Sequence, residues 1–290
     1  MTAPAPAATA EVVNEHAWHV PPPGLAELAG TYVGFRQAGV EPARHRGLPA
    51  PSITLIFTLD DPVVVAAHPD PEQPPGIYPT VVGGLHTTPA IITHEGRQSG
   101  IQLALSPLAS RALLGRPAGE LANIDTTAED VLGRVAFEIH DRLRSAASWA
   151  ERFAILDEVL LARATAADRN AHVSDEVCHA WRTLLRTGGT ASVAELAAET
   201  GWSDRHLRAR FRAETGLAPK AAARVIRFDR AKRALQQRSA ANQPLCLADV
   251  AASLGYFDQA HLDREFGLLA GCSPTTWLAE EFRNIQARAA

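Results

Sequence analysis

Cysteine is scarce: 290 residues hold three, Cys178, Cys246 and Cys272, with no CxxC spacing. That excludes a disulfide framework and the common zinc spacings. It fits a reducing cytoplasm, with the three thiols expected as small buried hydrophobes. Long apolar runs are also missing. None approaches the roughly 20 residues needed to cross a bilayer, so no membrane partner is expected. No Lys or Arg precedes Arg36 and no continuous apolar stretch opens the chain, which argues against a secretory signal. Residues 1–23, ending at Pro21-Pro22-Pro23, read as a disordered leader. No Ser/His/Asp or Cys/His constellation assembles from the sequence. His45, His68, His86 and His94 include no pair two apart, so a tight His-x-His metal cluster is missing. They are expected to be structural or surface residues. Gly83-Gly84 lacks the strand–loop–helix context of a phosphate loop. The expectation is a protein with no catalytic residues, no metal and no cofactor.

What is present is an apolar content of 46% and a charged content of 21%, enough for a soluble chain of two ordinary domains. The net charge of −4 by itself argues against nucleic acid, but the charge is unevenly distributed. Residues 1–191 hold 14 Lys and Arg against 21 Asp and Glu, residues 192–238 hold 11 against 5, and residues 239–290 hold 3 against 6. The middle block, at net +6, is the electrostatic footprint expected of a phosphate-binding surface.

Between about Thr31 and Leu105 the pattern is strand-like. "TYVGF", "SITLIFTL", "PVVVAA", "IYPTVVGG", "AIITH" and "GIQLAL" are short, β-branched or aromatic, and punctuated by Gly, Pro and Asp. A β-sandwich or small barrel is expected. Arg36, Arg46 and Arg97 are candidates to charge the mouth of a ligand cavity there. From Ser106-Pro107 the spacing turns helical. Thr127-Ala-Glu-Asp130 and Ser148-Trp-Ala-Glu151 open two runs, the second with the signature of a capping box. These runs predict a helical hairpin ending near residue 166. A polar stretch at 165–172 marks a boundary, and residues 173–290 read as seven helices.

Within those helices one short pattern occurs twice. "GWSDRHLRARF" begins at Gly201 and "GYFDQAHLDREF" at Gly255. Ala197-x3-Gly201 aligns with Ala251-x3-Gly255 at an offset of 54. His206-Leu207, Phe211, Gly216 and Pro219 align with His261-Leu262, Phe266, Gly271 and Pro274 at an offset of 55. One residue is therefore inserted in the second turn. A small Ala permits close helix crossing, Gly ends the first helix, and Leu and Phe four apart share a buried face. This is the helix-turn-helix scheme, whose second helix enters the major groove of DNA.

Residues 173–285 resemble the C-terminal DNA-binding domain of AraC/XylS-type transcriptional regulators, on the two Ala-x3-Gly turns, the two His-Leu-x3-Phe helices, "GLAP", "GCSP" and the linking "RVIRFDRAKRAL". The resemblance covers about two-fifths of the chain and implies an N-terminal sensing or dimerising domain, often cupin-like. The fold class expected is α+β multidomain: a disordered leader at 1–23, a strand-rich domain with a helical hairpin at 24–168, and an all-α domain at 173–290. In the family, exposed positions of the first recognition helix read bases; here they carry Arg205, Arg208 and Ala209. Ala209 departs from the long polar residue common there, with Arg210 and Arg212 as candidate phosphate contacts. In the second helix the corresponding residues are Gln259, Ala260, Asp263 and Arg264. Gln suits adenine; Asp263 suits either cytosine or a neighbouring Arg. The expected partner is double-stranded DNA. RNA polymerase, a small-molecule effector and a second copy of the chain are further candidates. The rival readings are a DNA-binding regulator whose N-terminal domain only dimerises, and a DNA-binding enzyme, for which no nucleophile or metal cluster is visible.

Overall fold

A computed structural model describes residues 12–167, 172–241 and 243–281. Ten strands lead: β1 (Val13–His19), β2 (Tyr32–Ala38), β3 (Ala43–Gly47), β4 (Ile53–Thr58), β5 (Val63–Ala67), β6 (Gly76–Tyr78), β7 (Thr80–Gly83), β8 (Ala90–His94), β9 (Gln98–Leu105) and β10 (Asp125–Thr126). They form a six-stranded sheet in the order β1-β2-β9-β4-β7-β10 and a four-stranded sheet in the order β3-β8-β5-β6, with antiparallel pairings throughout. Strand alternation sorts the core. Ile53, Leu55 and Phe57 of β4 join Ile101, Leu103 and Leu105 of β9 in a cluster shared with the helices. Ile56 instead meets Val63, Val65, Val81 and Ala90 between the sheets.

The expected leader is overturned where the structure describes it. Val13–His19 pairs along its whole length with β2, from Val13 opposite Ala38 to His19 opposite Tyr32. Partners remote in sequence supply the order: His19 meets Asp157 at 2.7 Å and stacks on Phe153. Residues 1–11 lie outside the described residues. Cys246 is exposed and Cys178 and Cys272 are half-buried, so the expectation of three buried thiols fails.

Four helices follow: α1 (Ser110–Leu114), α2 (Ala128–Leu132), α3 (Arg134–Ser145) and α4 (Trp149–Ala166). The first expected run breaks at Gly133, whose φ of 62° interrupts it. The reciprocal capping box forms at Thr127 and Asp130, not at Ser148. There Ser148 accepts from the Glu151 N–H, but Glu151 reaches back to Ala147 at 2.8 Å.

The C-terminal part is helical: α5 (Asp175–Thr187), α6 (Val193–Thr200), α7 (Asp204–Thr215), α8 (Pro219–Ala240), α9 (Leu247–Ser253), α10 (Gln259–Ala270) and α11 (Pro274–Glu281). These are seven helices among the described residues. One buried cluster runs from the larger sheet through α1–α4 into this helical part, so the halves share a continuous core. No helix among the described residues is long and apolar enough to cross a membrane.

Candidate nucleic-acid interface

The two halves of the repeat are built alike. In each, Gly in the left-handed region ends the first helix, at φ 71° for Gly201 and 78° for Gly255. The Trp202 N–H returns to the Ala197 carbonyl at 3.1 Å, and the Tyr256 N–H to the Ala251 carbonyl at 3.1 Å. Such closures satisfy helix-end carbonyls. Ser203 and Asp258 cap the second helices by accepting the N–H of His206 and His261. Leu207 and Phe211 of α7, and Leu262 and Phe266 of α10, are fully buried. Phe211 packs against Trp181, and Phe266 against Phe228 and Trp277. The linking α8 has 22 residues, about 33 Å at 1.5 Å per residue, close to one turn of DNA.

Helical periodicity sets Arg205, Ala209 and Arg212 on the face of α7 opposite Leu207 and Phe211, with Arg208 on one flank, and all four are exposed. Arg210 is exposed as well, on the other flank. Arg208 lies 3.7 Å from Asp204 one turn back. On α10 the outward positions are Ala260, Arg264 and Gly267; Gln259 is exposed at the start and Asp263 is half-buried. Gln259 donates to Asp263 at 3.5 Å, so the Asp263 carboxylate has an amide partner on its own helix. His206 is exposed with its ring edge-on to Trp202, while half-buried His261 is edge-on to Tyr256.

Charge counting missed the buried carboxylates. Glu265 sits where the first motif has Arg210 and takes Arg224 at 2.7 Å and Arg227 at 3.4 Å. Asp229 takes Lys232 at 3.1 Å and Arg233 at 2.8 Å. Four of the seven cations of α8 are thereby tied to two buried carboxylates, and exposed Lys220 and Arg230 join the arginines of α7 on the basic surface. The sequence signal was available: Glu265 lies three residues after Leu262 and so shares its buried helix face.

A cavity of about 580 Å³ opens between the two sheets. Val33, Ile56, Val65, Val81 and Ile92 wall it, and Asp229, Lys232, Arg233 and Gln236 of α8 close one side. Of the three candidate arginines only Arg46 lines it, and Arg46 also pairs with Glu280 of α11. Arg36 is exposed and Arg97 pairs with Asp61 at 2.7 Å. At the polar end, Asp125 accepts from buried His68 at 2.7 Å, and His68 meets the Tyr78 hydroxyl at 3.2 Å. Burial holds the His86 imidazole below its ordinary value, and Lys232 adds to that while the Thr88 carbonyl and Asp125 oppose it. Among the described residues no group of three His, Cys, Asp or Glu is placed to hold a metal.

Two helix-turn-helix units on one linking helix define a double-headed DNA-binding domain. Residues 196–280 match the family described as a helix-turn-helix domain (HTH_18), and residues 18–127 match a domain of unknown function (DUF6597). Residues 196–280 thus form an AraC-type helix-turn-helix domain, the DNA-binding domain of transcriptional regulators. No curated protein matches it. Among solved structures, the C-terminal domain of AraT, a response regulator from Geobacillus stearothermophilus, is 20% identical over 36% of this chain and 84% of its own, with a TM-score of 0.32. ToxT from Vibrio cholerae, bound to (E)-4-(8-methylnaphthalen-1-yl)but-3-enoic acid, is 10% identical over 84% of this chain and 96% of its own, with a TM-score of 0.49. A ToxT structure with unsaturated fatty acid gives 10%, 82%, 91% and 0.46.

Proposed function

We propose that the chain is an effector-responsive, sequence-specific regulator in which α7 and α10 read successive major-groove segments. Arg205 and Arg208 suit guanine O6 and N7, each good pair contributing about 1–3 kcal/mol of discrimination. Arg210 and Arg212 suit phosphate, while Gln259, Asp263 and Arg264 serve the second half-site. The sensing part is the strand-rich domain with its helical hairpin at 24–168, and no catalytic step belongs to this reading.

The observation that carries responsiveness is the cavity. Its volume suits a small ligand. Valines and isoleucines of both sheets form part of its wall, and Lys232 and Asp229 of the helix joining the two motifs form part of its polar lining. A small amphipathic effector there touches sheet and DNA-binding helix together, so binding biases how they are held. Selection from random duplexes, at fixed moderate salt, supplies the operator. Operator affinity is then measured with and without an amphipathic ligand that shifts the melting temperature. The expected result is a change of about fivefold or more, with the melting shift lost in Lys232→Met. A saturating ligand that leaves operator affinity unchanged overturns the coupling, and the dimer-only reading replaces it.

A further inference from the structure

The residue inserted in the second turn is Phe257. It stands between Tyr256, which matches Trp202, and the capping Asp258, which matches Ser203. It is 93% exposed, the most exposed large apolar side chain among the described residues. Its backbone is nevertheless held: the Phe257 N–H donates to His261 Nδ1 at 3.3 Å, and the His261 ring rests edge-on to Tyr256. The insertion is thus a fixed turn that presents a bare ring immediately before the recognition helix. The helix behind it continues the theme. Where α7 shows Arg205 and Arg212, α10 shows Ala260 and Gly267, and only Arg264 adds a cation.

In a helix-turn-helix the N-terminal residues of the second helix meet base edges. Apolar side chains there contact one major-groove feature, the 5-methyl group of thymine, and Ala and Phe are among the residues that do so. We propose that Phe257 and Ala260 form a thymine-methyl reading edge, so that the half-site under α10 is distinguished by thymine methyls and that under α7 by guanines. This rests on the reading above that both helices enter the groove. It differs from that reading in assigning specificity to a residue outside the helix and outside the repeat. It also gives the weakly basic second motif a reading chemistry that does not require charge.

The test uses the full-length protein and a duplex recovered by selection from random DNA. Each thymine of the second half-site is replaced in turn by deoxyuridine, which removes the methyl and keeps the pairing edge. Loss of one buried methyl is expected to weaken wild-type binding about threefold to fivefold at one or two positions. That penalty should vanish in Phe257→Ser and persist in Phe257→Leu, which keeps an apolar side chain. The inference is overturned if wild-type protein binds the duplex but ignores every replacement, or if Phe257→Ser retains the full penalty. It is also overturned if Phe257→Ser binds like wild type yet fails to support transcription with purified polymerase, since the ring then serves a protein contact. Recovery of no duplex by folded protein removes the underlying reading, and this inference with it.

Discussion

At the residue scale, the two recognition helices divide their labour by charge. The exposed surface of α7 carries Arg205, Arg208, Arg210 and Arg212, whereas that of α10 carries Arg264 alone, beside half-buried Asp263. Phosphate neutralisation dominates affinity for DNA, so the first motif is expected to supply most of it. Arg208→Glu should weaken operator binding about tenfold or more, and clearly more than Arg264→Glu. A titration at several salt concentrations decides the point, and equal losses would sink the asymmetry. Arg212→Ala should instead lower affinity evenly across sequences and flatten the salt dependence by about one counterion. The histidines that recur in the repeat have diverged. His206 is exposed against Trp202, whereas His261 accepts the N–H of the inserted Phe257.

At the element scale, helix starts are set by reciprocal caps at Thr127–Asp130 of α2 and Ser192–Glu195 of α6. Hydrogen bonds from Thr127 and Thr126 hold the Asp130 carboxyl below its usual value, and the Ser192 backbone N–H and hydroxyl do the same for Glu195. A carboxyl whose folded value is depressed contributes stability above its unfolded value and loses it as pH falls through the folded one. Fraying of the first turns of α2 and α6 is therefore expected with midpoints below about 3.9 and 4.3 respectively. Backbone NMR shifts of Asp130 and Glu195 between pH 6 and 2 measure this, and midpoints above those values contradict it. Gly stops and three-to-four apolar spacing act within one turn of the chain and were legible in sequence, whereas the box read at Ser148 forms at Thr127 and Ser192 instead. The strands β1 and β3 were not legible. "VNEHAWH" and "ARHRG" are polar, and their order comes from β2 and β8 beside them.

At the scale of the whole molecule, the N-terminal part grips the first recognition helix directly. Arg111 of α1 pairs with Glu214 of α7 through two hydrogen bonds, at 2.7 and 3.0 Å. Gly119 lies so close to the Ala213 carbonyl that a Cβ there would collide with it. Glu214 is 6% exposed, so removing its partner strands a buried carboxylate. Arg111→Ala should cost about 1–2 kcal/mol, allowing for the solvent at Arg111, and should raise hydrogen exchange in the last turn of α7. Denaturant unfolding and exchange mass spectrometry read the two effects; an unchanged α7 would mean that the contact does not steady the helix.

The sequence by itself determined the repeat, its turns, its caps and the residues α7 and α10 show to solvent. Each depends on contacts within a few residues, where spacing translates directly into a face. Tertiary structure alone decided the rest. Glu265 of α10 draws Arg224 and Arg227 of α8 inward, a pairing of distant groups that a charge count along the chain treats as independent. Lys232 becomes part of a cavity wall only because the sheets of the other half fold against α8. Residues 12–23 became a strand and a turn because β2 and α4 offered hydrogen bonds and a ring to stack on. Burial and pairing between distant segments depend on which surfaces meet, and no local pattern encodes that meeting.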